Sequence, residues 1–283
     1  MNSARSSEKV WFITGGSRGF GRIWATAALE RGDKVAVTVR DLNSLNALVP
    51  LVKQYGDAVL PLNLDVTDRQ AAFQAIATAK EKFGRLDVVL SNAGYGHQGA
   101  VEELSEIEAR AQMDTNFFGT MWLAQAAMSV FRAQKFGHLL AVSSVLGVFS
   151  APTFGIYSAS KFAIEGLFEA LTSEAALFGV HVTLIEPAGY ATDFNTLTSA
   201  KYSKAIAEYQ PIRDALSNAF ANYAFGDPHA TAAAILSVVD SAKPPLRIAL
   251  GAAAVDEAVG AYQSRIAVWN EWREVSAAAQ GHN

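Results

Sequence analysis

A single-domain, doubly wound α/β fold, with a parallel sheet of about seven strands and helices on both faces, is predicted by three observations. Seven short runs rich in Val, Ile and Leu recur along the chain: Val10–Ile13, Val35–Val39, Ala58–Leu62, Leu86–Leu90, His138–Val142, Val180–Ile185 and Leu246–Leu250. Nearly all are apolar on both alternating faces, the pattern of strands covered on each side. The segments between them are helix-periodic and long enough to cross over the sheet, so each run begins a βα unit. Finally, a glycine-rich turn separates the first run from the first helical stretch, where a nucleotide-binding α/β sheet carries one.

Composition narrows the function before any motif is read. The chain has 283 residues, 51% hydrophobic, 18% charged and 10% aromatic, with a formal net charge of −4. A charged fraction below the usual quarter and a high apolar fraction exclude disorder and point to a large core, with apolar surface left for a partner or a pocket. The absence of cysteine excludes disulfides, thiolate metal sites and a cysteine nucleophile. With a mildly acidic balance and no basic run longer than two residues, nucleic acid is not an expected partner. Met1 to Lys9 are polar, and no stretch approaches 18 uninterrupted apolar residues, so neither a secretory leader nor a membrane span is expected. A cytoplasmic protein is the expectation.

The glycine turn reads Thr14-Gly15-Gly16-Ser17-Arg18-Gly19-Phe20-Gly21 and leads into a predicted helix, Arg22–Arg31. Such a turn presents backbone N–H groups at a helix N-terminus, where they hold a pyrophosphate. Side chains at Gly15, Gly19 or Gly21 would block the turn, the phosphate or the helix packing. A fixed threonine with three glycines at this spacing arises by chance in fewer than about one chain in a hundred. The second strand ends at Val39-Arg40, where an NAD site has a carboxylate for the ribose 2′-hydroxyl. Val39 accepts no hydrogen bond, and the guanidinium of Arg40, with Arg18 as a second cation, suits a 2′-phosphate. The cofactor expected is NADP(H).

Tyr157-Ser158-Ala159-Ser160-Lys161 places a tyrosine one helical turn before a lysine, at the start of the apolar stretch Phe162–Phe178. An ammonium beside a phenol favours the phenolate and lowers its pKa. With these residues in view, the chain resembles the short-chain dehydrogenase/reductase family, in the group with a T-G-x-x-x-G-x-G turn. The resemblance runs from Val10 to Thr192. Asn92-Ala93-Gly94 matches the family's N-A-G motif after the fourth strand, and Ser144 stands thirteen residues before Tyr157, the family's interval.

The resemblance implies a Rossmann-type fold and a catalytic set of Ser144, Tyr157, Lys161 and Asn116. Tyr157 would be the acid in carbonyl reduction and the base in alcohol oxidation, and Ser144 would stabilise charge on the substrate oxygen. Lys161 would bind the nicotinamide ribose, and Asn116 would hold a water relaying protons to it. The cofactor set it implies comprises Gly15, Ser17, Arg18, Gly19, Phe20, Gly21, Arg40, Asp65, Val66, Asn92, Ala93, Gly94, Tyr157, Lys161, Pro187, Gly189 and Thr192. Two residues depart from the pattern. Ala188 stands where the family has glycine, and Ser91 where many members have a second asparagine.

The segment 193–225 has no strand-like run but many large apolar residues, and reads as a helical lid within the single domain 1–283. With His97, Val145, Leu146, Phe149, Tyr190, Phe194 and Tyr202 it is expected to enclose an apolar pocket. Such a wall suits a hydrophobic ketone, aldehyde or secondary alcohol. Steroid, retinol or 3-oxoacyl substrates of the same family are the alternative, and a non-catalytic nucleotide sensor is a second. The histidines lack metal-ligand spacing, so no metal is expected. The helical stretches Phe117–Phe131 and Phe162–Phe178 are apolar nearly all round, which predicts burial on two sides; helices at these positions form the subunit contact in much of the family, so the resemblance implies a homodimer or homotetramer. Trp269 and Trp272 would dock on the body or on a partner.

Overall fold

Among the described residues nine strands appear in chain order: β1 (Val10–Ile13), β2 (Lys34–Val39), β3 (Val59–Asn63), β4 (Val88–Ser91), β5 (His97–Gln98), β6 (Gly137–Val142), β7 (Val180–Pro187), β8 (Lys201–Tyr202) and β9 (Arg247–Leu250). The structure is a computed structural model and describes residues 8–192 and 200–281. Seven strands form one parallel sheet in the order β3-β2-β1-β4-β6-β7-β9. The seven apolar runs of the sequence are these seven strands, displaced by two residues at most at their starts.

The helices are α1 (Gly19–Glu30), α2 (Val49–Tyr55), α3 (Arg69–Phe83), α4 (Glu106–Met113), α5 (Gly119–Gln134), α6 (Gly155–Ala176), α7 (Gln210–Ala221), α8 (Thr231–Asp240), α9 (Ala252–Glu271) and α10 (Arg273–Ala278). Strand alternation divides the apolar residues between two cores. Val10 and Phe12 of β1 face α3, α5 and α6 with Ile76, Phe131 and Phe168, whereas Trp11 and Ile13 face α1 and α8 with Trp24 and Ile235. Each core indole finds a polar partner: Trp11 Nε1 donates to Asp33 (2.7 Å) and Trp24 Nε1 to Thr231 Oγ1 (2.8 Å). Strand order reverses between β1 and β4, which opens a crevice at their carboxyl ends.

Two expectations are corrected. Within the stretch expected to lack strands, β8 pairs in parallel with β5, and two residues are too few to show an alternation in sequence. The part of that stretch from 193 to 199, with Phe194, lies outside the described residues, and α7 supplies its helix. Of the two places expected for Trp269 and Trp272, the body is excluded: they are 63% and 56% exposed on α9 and just beyond it, which leaves the partner alternative standing. Among the described residues, no helix is long and apolar enough to cross a membrane.

Candidate active site

The crevice at the strand reversal is built from backbone. Thr14 Oγ1 accepts hydrogen bonds from the N–H groups of Asn92 (2.9 Å) and Ala93 (3.0 Å), and Asn92 Nδ2 donates to Thr14 O (2.9 Å) and Gly15 O (3.2 Å). The ends of β1 and β4 are thereby stitched into one floor. Gly15 has φ +72°, and a Cβ on Gly21 would stand 2.4 Å from Gly15 O, so neither position admits a side chain. Gly19 has φ +55° with open space above it at the start of α1, and neither a side-chain cap nor an acidic residue occupies that helix end. This cradle fits a pyrophosphate.

Along its rim lie Ser17, Arg18, Phe20, Arg40, Asp65 and Val66. Phe20 stacks on Trp24 (4.9 Å) and meets Tyr190 edge-on (5.3 Å), which fixes its ring at the crevice. Asp41 also lines the crevice, but its carboxylate accepts from Ser44 N (2.9 Å) and Ser44 Oγ (3.1 Å). Those bonds hold it below the ordinary carboxylate range and commit it to the turn. Asp65 is likewise bonded to Thr67 N (3.0 Å) and Thr67 Oγ1 (2.8 Å).

Beyond the cradle, Ser144, Tyr157 and Lys161 line the same cavity, which has a volume of about 840 Å³. Tyr157 and Lys161 lie one turn apart on α6, and Ser144 follows the end of β6. The Tyr157 phenol is hydrogen-bonded to the Ser144 side chain; burial pushes its pKa up to about 12, and that bond offsets only part of the rise. Burial pushes the Lys161 ammonium down to about 8, against the opposing charge of Glu165. Lys161 Nζ donates to Val142 O (2.8 Å) and stands 5.7 Å from the centre of the Tyr157 ring. The expectation that the lysine leaves this phenol with a lowered pKa is therefore corrected: burial dominates.

Asn116 is buried in a π-helical turn, Asp114–Phe118, that precedes α5. Its Oδ1 accepts from Tyr95 N (3.1 Å), and its Nδ2 donates to Tyr95 O (3.1 Å) and Ser160 Oγ (3.1 Å). Its side chain thus fastens the loop after Asn92-Ala93-Gly94 to α6, and it does not line the cavity. A Cβ on Gly94 would lie 3.1 Å from Asn116 Oδ1 and 3.9 Å from Lys161 Nζ, so this glycine lets the three elements meet. Ser91 bonds Thr120 Oγ1 (3.0 Å) under the same loop.

Pro187, Gly189 and Thr192 line the crevice on the β7 side. The glycine requirement falls at 189, where a Cβ would stand 2.5 Å from the Tyr223 ring, while Ala188 takes its place with its N–H on Leu250 O (2.9 Å).

Of the residues expected in the pocket wall, Val145, Leu146, Phe149 and Tyr190 line the cavity. His97 and Tyr202 do not. His97 points under the lid, its Nε2 2.9 Å from Ser203 Oγ and 3.8 Å from Glu108, and Tyr202 is half exposed on β8. The β5–β8 pairing, which no sequence pattern announced, turns both away. Wall residues that had escaped the sequence reading include Phe154, Lys201 and Glu257. Phe154 meets Phe220 edge-on (6.3 Å), Lys201 lies over the Tyr95 ring (4.5 Å), and Glu257 enters from α9 with burial raising its pKa. Phe154, one turn before Tyr157, could have been found from helical spacing; Lys201 and Glu257 carry no such signal.

Comparison with known proteins agrees with this geometry. Residues 9–203 match the family model described as short chain dehydrogenase. Oxidoreductase BOA17 of Botryotinia fuckeliana is 37% identical over 96% of this chain and 99% of its own length. The 3-ketodihydrosphingosine reductase of Bacteroides thetaiotaomicron is 32% identical over 86% of this chain and 88% of its own. The crystal structure of a short-chain dehydrogenase from Streptomyces avermitilis superposes with a TM-score of 0.89 at 37% identity, covering 97% of this chain and 99% of that one. A glycine cradle, a buried serine–tyrosine–lysine set and these likenesses lead to one conclusion: the chain belongs to the short chain dehydrogenase family of oxidoreductases.

Proposed function

We propose that the protein is a cytoplasmic NADP(H)-dependent oxidoreductase that interconverts a hydrophobic ketone or aldehyde and its alcohol. The observation that carries this reading is the single cavity that holds the glycine cradle at one end and Ser144, Tyr157 and Lys161 at the other. Gly15, Gly19 and the N-terminus of α1 would bind the pyrophosphate, with Asn92-Ala93-Gly94, Pro187, Gly189 and Thr192 around the nicotinamide half. The nicotinamide, when bound, supplies or accepts the hydride.

The rest follows from the chain's own groups. The Ser144 hydroxyl donates to the substrate oxygen and holds it against Tyr157. The phenol is protonated at neutral pH, and burial holds it so to higher pH; it gives its proton to that oxygen as charge develops on it. Lys161 presents a charge under the phenol and hydrogen-bond donors toward the ribose. Asn116 keeps the loop and helix that carry these groups in register. Phe149, Phe154, Phe220 and Phe225 wall the reacting end, which supports an apolar substrate over a sugar or a charged acid.

Preference for the phosphorylated cofactor rests on the β2 end. Val39 offers no side-chain acceptor, Asp41 is committed to Ser44, and Arg40 and Arg18, which line the same cavity, would hold a 2′-phosphate. Binding of NADPH and NADH measured side by side tests this: NADPH is expected to bind tighter, and Arg40→Ala to lose most of that advantage. Tighter binding of NADH would overturn it. Exposed apolar residues beside α5 and on α6, Phe118 and Phe162, favour a homodimer or homotetramer, which light scattering would show as a multiple of the chain mass.

A further inference from the structure

Behind Lys161, on the side away from the cavity, two carboxyl groups are buried together. Glu165 lies one turn after Lys161 on α6, and Glu186 lies near the end of β7. Arg247 of β9 reaches them from the edge of the sheet: its Nε donates to Glu165 Oε2 (2.9 Å) and stands 3.4 Å from Glu186 Oε1, while its outer nitrogen donates to the exposed Glu169 (2.6 Å). Ser143 Oγ, Glu165 Oε1 and Glu186 Oε1 are buried here without a well-aligned hydrogen bond, although Ser143 and Glu186 both stand close enough to act on Glu165. Gly147 leaves the space they share with Lys161. A Cβ there would stand 2.6 Å from Ser143 Oγ, 3.2 Å from Glu165 Cγ and 3.3 Å from Lys161 Cβ.

Two buried carboxylates cannot both ionise cheaply, and one guanidinium, shared with Glu169, cannot neutralise both. A proton held between them removes the repulsion and supplies a donor to the unpaired oxygens. Among the described residues, Glu165 is the carboxylate whose charge acts on Lys161. The other charged groups acting on the cluster, among the described residues, are Glu186 of β7 and Arg247 of β9, with Glu169 of α6 acting on Arg247.

We propose that Glu165 and Glu186 form a carboxyl pair that shares one proton below neutral pH, and that its remaining negative charge holds Lys161 as the ammonium. Both are positioning residues, acting on Tyr157 and the cofactor ribose only through Lys161. The inference rests on the reading of Lys161 as part of the catalytic set. Burial first, and repulsion from Glu165 second, push Glu186 up to about 7, while Arg247 opposes the rise. Burial likewise raises Glu165.

The test needs no turnover, so it stands or falls apart from the proposed reaction. Lys161 is labelled with acetic anhydride across a pH series on the full-length chain, and the labelled peptide is quantified by mass spectrometry, since only the neutral amine reacts. In Glu165→Gln the midpoint for Lys161 is expected to fall by about one pH unit, an approximately tenfold faster labelling near neutrality. Glu165→Asp, which keeps the charge, should restore most of the shift. Infrared spectra of the unaltered chain should show a buried carboxylic acid C=O band below neutral pH that disappears on raising the pH and is missing from Glu186→Gln. Should Glu165→Gln not fold, Glu186→Gln carries the test alone: the acid band is expected to be missing, and the Lys161 midpoint to stay at or above that of the unaltered chain, because Glu165 is freed of repulsion and keeps its charge. A Lys161 midpoint unchanged in Glu165→Gln, a midpoint that falls in Glu186→Gln, or an acid band that persists in Glu186→Gln, overturns the proposal.

Discussion

At Tyr157, burial and a neighbouring hydroxyl compete, and the outcome sets which half of a proton transfer the phenol performs most readily. Burial raises it to about 12 and the Ser144 bond lowers it only in part, so it enters neutral solution carrying its proton. That is the state an acid needs for carbonyl reduction; the reverse reaction needs the phenolate, whose population rises with pH below that value. Initial rates in the two directions should therefore diverge, with oxidation climbing steadily above neutral pH and reduction not doing so. Replacing Tyr157 with Phe is expected to cost about 10²–10⁴-fold in turnover while NADPH still binds, as followed by its fluorescence. At this scale the tyrosine–lysine pair was legible as one helical turn, and Ser144 only through the family resemblance, which supplies its interval to Tyr157. The fate of His97 was not, because it depends on a contact with Ser203 more than a hundred residues away.

Among the elements, the π-helical turn Asp114–Phe118 shows how a site is fixed by irregular backbone. An extra residue in that turn aims Asn116 sideways at Tyr95 and Ser160, and periodicity alone reads the region as plain helix. The lid element is fastened by one buried carboxylate, Glu103, which accepts from Ile206 N (2.6 Å) and Ala100 N (2.7 Å) and pairs with Arg213 of α7. Nothing in the spacing of these residues marked them, since the clamp joins a loop to a distant insertion. In the sheet, His138 of β6 is buried against Thr183 of β7 (2.9 Å), and burial pushes its pKa down to about 3. Its folded-state value is depressed, so protonation favours the unfolded chain. Its contribution is complete above an ordinary histidine value of about 6.5 and declines below it by about 1.4 kcal/mol per pH unit. Denaturant midpoints measured from neutral pH downward should fall more steeply in the unaltered chain than in His138→Gln; equal slopes would remove this role.

Taken whole, the molecule is a sheet that divides its apolar residues by alternation and its chemistry by strand order. The pattern of runs apolar on both faces was enough to read seven covered strands, because burial on two sides leaves few other sequences possible. Phe12 sits fully buried where α3, α5 and the sheet meet, so Phe12→Ala is expected to cost about 3–5 kcal/mol of stability, read as a lower denaturant midpoint with the slope unchanged. The same sheet, by reversing its order between β1 and β4, brings the glycine turn and the N-A-G loop together, and α6 then sets the tyrosine–lysine pair at the far end of one cavity. The central claim is that this cavity couples a phosphorylated nicotinamide cofactor to an apolar carbonyl through Tyr157. Its most direct test is the loss of reduced-nicotinamide absorbance, with NADPH and NADH in parallel, over a panel of aryl ketones, aliphatic ketones, aldehydes and steroids, for the unaltered chain and Tyr157→Phe. NADPH-dependent reduction of bulky apolar ketones that falls at least about a hundredfold in the variant is the result this account predicts. Turnover in Tyr157→Phe close to that of the unaltered chain, or turnover that runs on NADH in preference, would contradict it.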